Sequence, residues 1–246
     1  MTNGLPWLMI LPSGIVLGFL LHWLTIRGID TAEGRLPHCR GAYLAFSAQL
    51  LTFAWAVYFT AGLGRYGAVL LPLGMTCSFA GDYFNLQFPA IRNRVREPVF
   101  LGILSFAAAQ VIYIGAFLSL IPFRELAERG YFVPILAVLL IAPAMIFRLR
   151  VYQPGRPRSL MLGGFLYGFA LGTMTAIALS AAVTRGGSWI PVAAGALFFL
   201  LSDAVMGETT LHGRHPKHEY QVPWGTYLAA QGLILAGTAS ILMAPG

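Results

Sequence analysis

Charge is what this sequence has least of. Only 10% of its 246 residues are Asp, Glu, Lys or Arg, against about 25% in an ordinary soluble domain. Hydrophobic residues make up 57% and the mean hydropathy is +0.72. Such a chain cannot cover a water-facing surface, which excludes a conventional soluble enzyme. Cysteine is scarce too. Cys39 falls in a predicted loop and Cys77 in a predicted helix, so no redox or metal-binding motif is spelled out. There is no G-x-S-x-G, Walker A or H-E-x-x-H pattern, which leaves serine hydrolase, ATPase and zincin readings without a motif. The N-terminal apolar run has neither a basic flank nor a small-residue cleavage site, so residues 5–26 read as a retained span rather than a signal peptide.

What the sequence does hold is a series of long apolar runs. A helix needs about 20 apolar residues to cross the hydrocarbon core. Eight segments meet that demand: 5–26, 43–62, 67–86, 98–122, 131–148, 160–183, 188–206 and 223–244. The expected fold is therefore an all-α integral membrane protein of eight transmembrane helices, one polytopic domain over 1–246. The breaks have local causes. Residues 28–40 are polar. Arg92, Arg94 and Arg96 interrupt the pattern before Pro98, and Pro154-Gly155-Arg156-Pro157 cannot continue a helix. Residues 207–222 are charged and rich in His, Gly and Pro.

The net charge of +7 comes almost wholly from arginines in the gaps between apolar runs. That placement reads as topology and contact with anionic headgroups, not nucleic-acid binding. Twelve of the 16 basic residues fall in the loops after spans one, three, five and seven, and four on the other side. The positive-inside rule then puts both termini outside the cytoplasm. A bacterial inner membrane is the expected location. Gly14-x-x-x-Gly18 and Gly164-x-x-x-Gly168-x-x-x-Gly172 have the spacing that lets helices approach closely.

An internal offset of 121 residues recurs without a gap. It relates Gly74 to Gly195, Asp82 to Asp203, and Ala108-Ala109-Gln110 to Ala229-Ala230-Gln231. Spans three and four would correspond to seven and eight. Because four helices preserve orientation, the repeat would be parallel, a 4+4 arrangement about an axis along the membrane normal. Chance recurrence of small residues is the competing explanation.

Asp82 and Asp203 are the only carboxylates inside predicted spans. A charge at mid-bilayer costs at least about 2.5–3.5 kcal/mol, so each needs a partner, a proton or water. Both spans run toward the cytoplasm, and each Asp lies about one turn before its span ends. Two carboxylates at one depth can share a cavity and act as acid and base. The alternative is two interfacial residues, each paired separately with loop arginines. His22 has the same expected depth and is a candidate for proton relay. Gln110, Tyr113, Tyr227 and Gln231 are polar groups on spans four and eight, suited to holding water or a polar substrate head, or simply to interhelical hydrogen bonds. Glu208 follows Asp203 by five residues and is a candidate for the same mouth. His212-x-x-His215-x-x-His218 has a metal-like spacing, but Gly213 and Pro216 argue for a loop, and no metal site is expected.

Certain of these elements resemble the YhhN family of membrane proteins, whose studied members are lysoplasmalogenases. The matching pieces are Gly81-Asp82, then Gly102, Phe106 and Tyr113-Ile114. The second half offers Gly195-Ala196-Leu197-Phe198, Ser202-Asp203, and Tyr227, Gln231 and Leu233-Ile234. Tyr167 and Met174 resemble a Tyr/Met pair of the family, and the resemblance covers roughly 74–237. Two departures stand out: the family often has His where this chain has Gln110, and a Lys-Pro element upstream of the first Asp has no clear equivalent. The resemblance implies hydrolysis of the vinyl ether of a lysophospholipid substrate, giving a fatty aldehyde and a glycerophospho-alcohol, with no cofactor or metal. A proton-coupled transporter using the same aspartates is the alternative, and a non-catalytic lipid-binding or scaffolding protein is a third reading.

Overall fold

The structure is a computed structural model and describes residues 28–31, 34–37, 40–63, 66–215 and 219–244. The expected span at 5–26, with His22 and the Gly14/Gly18 motif, lies outside these residues. The polar segment expected as a loop contains a short ribbon instead. Strands β1 (Gly28–Thr31) and β2 (Gly34–Pro37) pair antiparallel, with Gly28 opposite Pro37 and Thr31 opposite Gly34.

The rest is helical. In chain order come α1 (Arg40–Val57), α2 (Leu70–Asn85), α3 (Pro89–Arg92), α4 (Pro98–Leu120), α5 (Phe123–Glu128), α6 (Phe132–Ile146), α7 (Arg158–Arg185), α8 (Trp189–Gly207) and α9 (Gln221–Met243). Wider π-type turns prolong α1 to Gly62, α6 to Val151 and α8 to His212. Six of these segments are long and apolar enough to cross a membrane: Arg40–Ala61, Pro98–Leu120, Phe132–Val151, Arg158–Arg185, Trp189–His212 and Gln221–Met243. Helix α2, with 16 residues, spans about 24 Å at 1.5 Å per residue. A 3-10 turn, Tyr66–Val69, precedes it. Seven of the eight expected spans thus correspond to a described helix; the total of eight is not reached among the described residues.

Proline and glycine punctuate the helices as their chemistry requires. Pro98 opens α4, where its missing N–H is not needed. Gly186, at φ +62°, ends α7. Pro143 sits inside α6 and cannot donate to the Leu139 carbonyl. That carbonyl lies against Gly172 of α7, where a Cβ would stand 2.2 Å from it. A side chain at 172 would push the two helices apart.

The core is built by α2 on α4 and α8 on α9, the two most extensive helix pairs. Each pair closes over a glycine. A Cβ on Gly74 would lie 2.7 Å from the Tyr113 ring, and one on Gly195 would lie 2.6 Å from the Ala230 carbonyl and 2.9 Å from Ile234. Helix α6 is peripheral: of the long helices it packs substantially only on α7, and Val133, Val138, Ile141 and Met145 are exposed.

Candidate functional site

Asp82 sits one turn before the end of α2 and is buried. Its Oδ2 accepts the Ser47 hydroxyl at 2.5 Å and the Tyr227 hydroxyl at 2.7 Å. The network continues into α9 and α4. The Gln231 amide nitrogen stands 3.5 Å from the Tyr227 oxygen, and the Tyr113 hydroxyl donates to the Gln231 carbonyl oxygen at 3.0 Å. Four of the polar residues singled out in the apolar spans therefore converge: Asp82, Tyr113, Tyr227 and Gln231. Ser47 of α1 completes the set, and sequence reasoning missed it. A lone Ser in an apolar span is a weak signal, because helices often absorb such hydroxyls on their own backbone.

Asp203 is held differently. It is half-buried near the end of α8 and accepts the hydroxyl of Tyr167 from α7. Neighbouring Ser202 donates to the Pro223 carbonyl at 2.8 Å and so ties α8 to α9. Among the described residues, no cation forms an ion pair with either aspartate.

Between the two clusters stands Phe106. Its ring meets Tyr227 edge-on at 5.8 Å and Tyr167 at 6.4 Å between centroids. Gly81 makes that position possible, since a Cβ there would lie 2.6 Å from the Phe106 ring. In Gly81-Asp82, the glycine thus seats the ring that touches the tyrosine partner of each acid.

Asp203 opens onto a cavity of about 110 Å³. Its lining comes from the last turns of α2, α6 and α8 and the first turns of α4 and α7, so it lies at one end of the bundle. Most of the lining is apolar: Ile103, Phe147, Leu171, Leu200 and Leu211 are examples. Asp203, Asn85, Tyr167 and Thr210 are the polar exceptions, and Asp82 is absent from the lining. The sequence leads one to expect two carboxylates in one cavity. Instead Asp203 lines the cavity, while Asp82 does not and is buried against Ser47 and Tyr227.

The glycine stripe of α7 also divides. Gly164 and Gly172 are packing positions, with a would-be Cβ 3.0 Å from Leu211 and 2.2 Å from the Leu139 carbonyl. Gly168, midway between them, lines the cavity and has nothing within 4 Å of its Cβ position.

Gln110 is fully buried and its amide lies beside the Tyr167 hydroxyl, although neither amide heteroatom makes a hydrogen bond of ordinary geometry. It lies one turn beyond Phe106 on α4. Asn85, unnoticed in the sequence, lines the cavity. Its amide nitrogen stands 3.7 Å from the Met206 sulfur, and its Oδ1 is buried without a partner. Glu208 lies on the π turn that prolongs α8, not in a loop, between cavity-lining Gly207 and Thr210. It pairs with Arg150 and Arg214, each at 3.2 Å. His212 ends that turn, and His215 pairs with Glu219 at 2.5 Å. His218 lies outside the described residues. Among those residues, no three His, Cys, Asp or Glu side chains gather at a metal-sized site.

A bundle of helices long and apolar enough to cross a membrane, with a half-buried carboxylate in the wall of a mostly apolar cavity, defines a polytopic membrane protein. A family model described as the YhhN family matches residues 42–238, and the chain belongs to that family. It is a multi-pass membrane protein. No curated protein and no solved structure compared with it shows significant similarity.

Proposed function

We propose that this protein is a membrane hydrolase of the vinyl ether bond in lysoplasmalogen. Membership of a family associated with lysoplasmalogenase activity supports the reaction class. The observation that carries the reading is Asp203 in the wall of a mostly apolar cavity. A single lipid chain fills such a space, and its linkage atoms come to rest beside the carboxylate. The chain reaches the cavity sideways, between α4 and α6, which both contribute to the lining while α6 packs on α7.

Chemically, Asp203 donates a proton to the vinyl β-carbon, and the electron pair of the double bond forms the new C–H bond. The α-carbon becomes an oxocarbenium ion, which faces the newly ionised carboxylate. Water adds to that carbon and returns a proton to Asp203. The hemiacetal then breaks its C–O bond to the glycerol oxygen, which takes up a proton as the hemiacetal hydroxyl gives one up, releasing the fatty aldehyde and the glycerophospho-alcohol. One water is consumed and no redox partner is needed. Tyr167 holds Asp203 Oδ2 and so fixes which oxygen carries the proton. Asp82 acts at a distance, as a positioning residue for Tyr227 and, through it, for Phe106.

The bundle is also read as two related halves. Gly74 against Tyr113 and Gly195 against Ile234 are the same contact displaced by 121 residues. Asn85 touches Met206 and Phe106 touches Tyr227, and each of these pairs is itself 121 apart. Mates that touch lie on a two-fold axis. An experimental structure in which α2 and α4 superpose on α8 and α9 by a half-turn would support the duplication; a different rotation would reject it. On this reading the arginine-rich end, where the cavity opens, is cytoplasmic.

The test is aldehyde release from lysoplasmalogen by the purified full-length protein. Asp203→Asn is expected to abolish it and Asp82→Asn to reduce it. Full activity in Asp203→Asn would sink the assignment, and proton-coupled uptake into liposomes without hydrolysis would favour a transporter.

A further inference from the structure

Three arginines crowd the mouth of the cavity around one carboxylate. Arg150, at the end of the α6 segment, and Arg214, just past α8, both bond the same oxygen, Oε1 of Glu208. Arg156 comes from the turn before α7. Its Nε donates to the Leu211 carbonyl at 3.1 Å, and its terminal nitrogen lies 3.9 Å from where a Gly213 Cβ would be. Gly207, Thr210, Leu211 and Val151, the neighbours of these groups, line the cavity. Glu208 neutralises one charge and leaves two. The Arg150 and Arg214 side chains are 60% and 48% exposed. Among the described residues each uses one guanidinium N–H on Glu208, out of the five that an arginine offers.

We propose that Arg150 and Arg214, with Arg156 beside them, form a binding site for the phosphodiester of the lipid whose chain fills the cavity. The inference rests on the functional reading above and deepens it from the vinyl ether to the headgroup. Spacing supports it. Glu208 lies five residues past Asp203, about 7–8 Å along a helix at 1.5 Å per residue. Six bonds separate the phosphorus of a lysophospholipid from the vinyl α-carbon, a span of about 7–8 Å at ordinary bond lengths. Glu208 is turned about 140° around the helix from Asp203, and the long arginine side chains span that turn to hold the phosphate at the height that places the vinyl ether beside Asp203. Arginine suits the task because its planar fork meets two phosphate oxygens at once.

Binding is measured separately from hydrolysis by using saturated 1-O-alkyl lipids, which have no vinyl ether to cleave. The full-length protein, in nanodiscs of neutral lipid, is titrated with radiolabelled 1-O-alkyl lysophosphocholine and with 1-O-alkylglycerol of the same chain length. The wild type is expected to bind the phosphate-bearing lipid at least tenfold more tightly. Arg150→Gln/Arg214→Gln should lose that preference, keep its affinity for the alkylglycerol and unfold at the same temperature, while Arg150→Lys retains part of it. A wild type without preference, or a double variant that keeps it, overturns the proposal. Two further arms separate sources of phosphate. Anionic lipid added to the disc, or 1 mM inorganic phosphate, should leave the preference in place. If either abolishes it, the arginines serve bulk headgroups or free phosphate, and the substrate site is rejected. Failure of hydrolysis with the preference intact would reject only the reaction.

Discussion

Replacing Gly168 by leucine separates filling the cavity from disturbing the fold. A Cβ at 168 meets nothing within 4 Å, so the helix accepts the side chain, and leaving glycine inside a helix gains about 1 kcal/mol in propensity. The four added carbons occupy space otherwise available to the lipid chain. If each displaces one buried methylene at about 0.8 kcal/mol, binding of a long-chain substrate weakens by about 3 kcal/mol. That is roughly a hundredfold in KM. The same substitution at Gly172, four residues along, meets the Leu139 carbonyl at 2.2 Å and should unfold the bundle at lower temperature. The assay pairs aldehyde release, across a series of chain lengths, with thermal unfolding in detergent. Gly168→Leu is expected to keep or raise Tm, raise KM for long chains and spare short ones. An unchanged KM at all chain lengths, or a loss of Tm like that of Gly172→Leu, would refute the placement of the lipid.

Tyr167→Phe keeps the ring against Phe106 and deletes only the donor to Asp203. A hydrogen bond to a charged group contributes about 1.5–3 kcal/mol, so kcat should fall about 10- to 100-fold with little change in KM. Gly195→Val forces a side chain against the Ala230 carbonyl and Ile234. Overpacking of this kind costs about 1–3 kcal/mol, and a Tm lowered by several degrees is the expected readout. Outside the membrane, Arg185 clamps Glu125 through two bonds, at 2.8 and 2.6 Å. The Arg185 hydrogen bonds hold the Glu125 carboxyl below its ordinary value. That stabilisation is complete above the unfolded carboxyl's pKa and is lost as pH falls through the folded one. Wild-type Tm should therefore drop more steeply than that of Glu125→Gln between about pH 5 and pH 3.

Much of this was legible in the sequence because the membrane makes polar groups conspicuous. Helices α1, α2, α4 and α6 to α9 follow the long apolar runs, and Pro98, Pro157 and Gly186 sit at their ends. Asp82 and Gln231 stand out by scarcity, Tyr113 and Tyr227 only as polar groups on the neighbouring spans, and the four do meet. The cavity was not legible. Ile103, Leu171 and Leu200 read the same whether they face lipid, a neighbour or a void, and Gly168 is one of three equally spaced glycines. Nor is the inequality of the aspartates visible, since it depends on which hydroxyls reach each one, Ser47 and Tyr227 for Asp82 and Tyr167 for Asp203. Glu208 falls outside the expected span because residues 207–222 are charged and rich in His, Gly and Pro, yet the π turn carries the helix to His212 first. Tyr167 entered only through the family resemblance, since a tyrosine in an apolar span says nothing about its partner.

Hydrolysis in deuterium oxide, with the released aldehyde reduced at once to the alcohol, follows the proposed proton itself. Protonation of the β-carbon by Asp203 predicts one deuterium on carbon 2 of the product, with none released by Asp203→Asn. Product lacking deuterium at carbon 2, or labelled product released by the variant at the wild-type rate, would show that Asp203 does not protonate the vinyl ether.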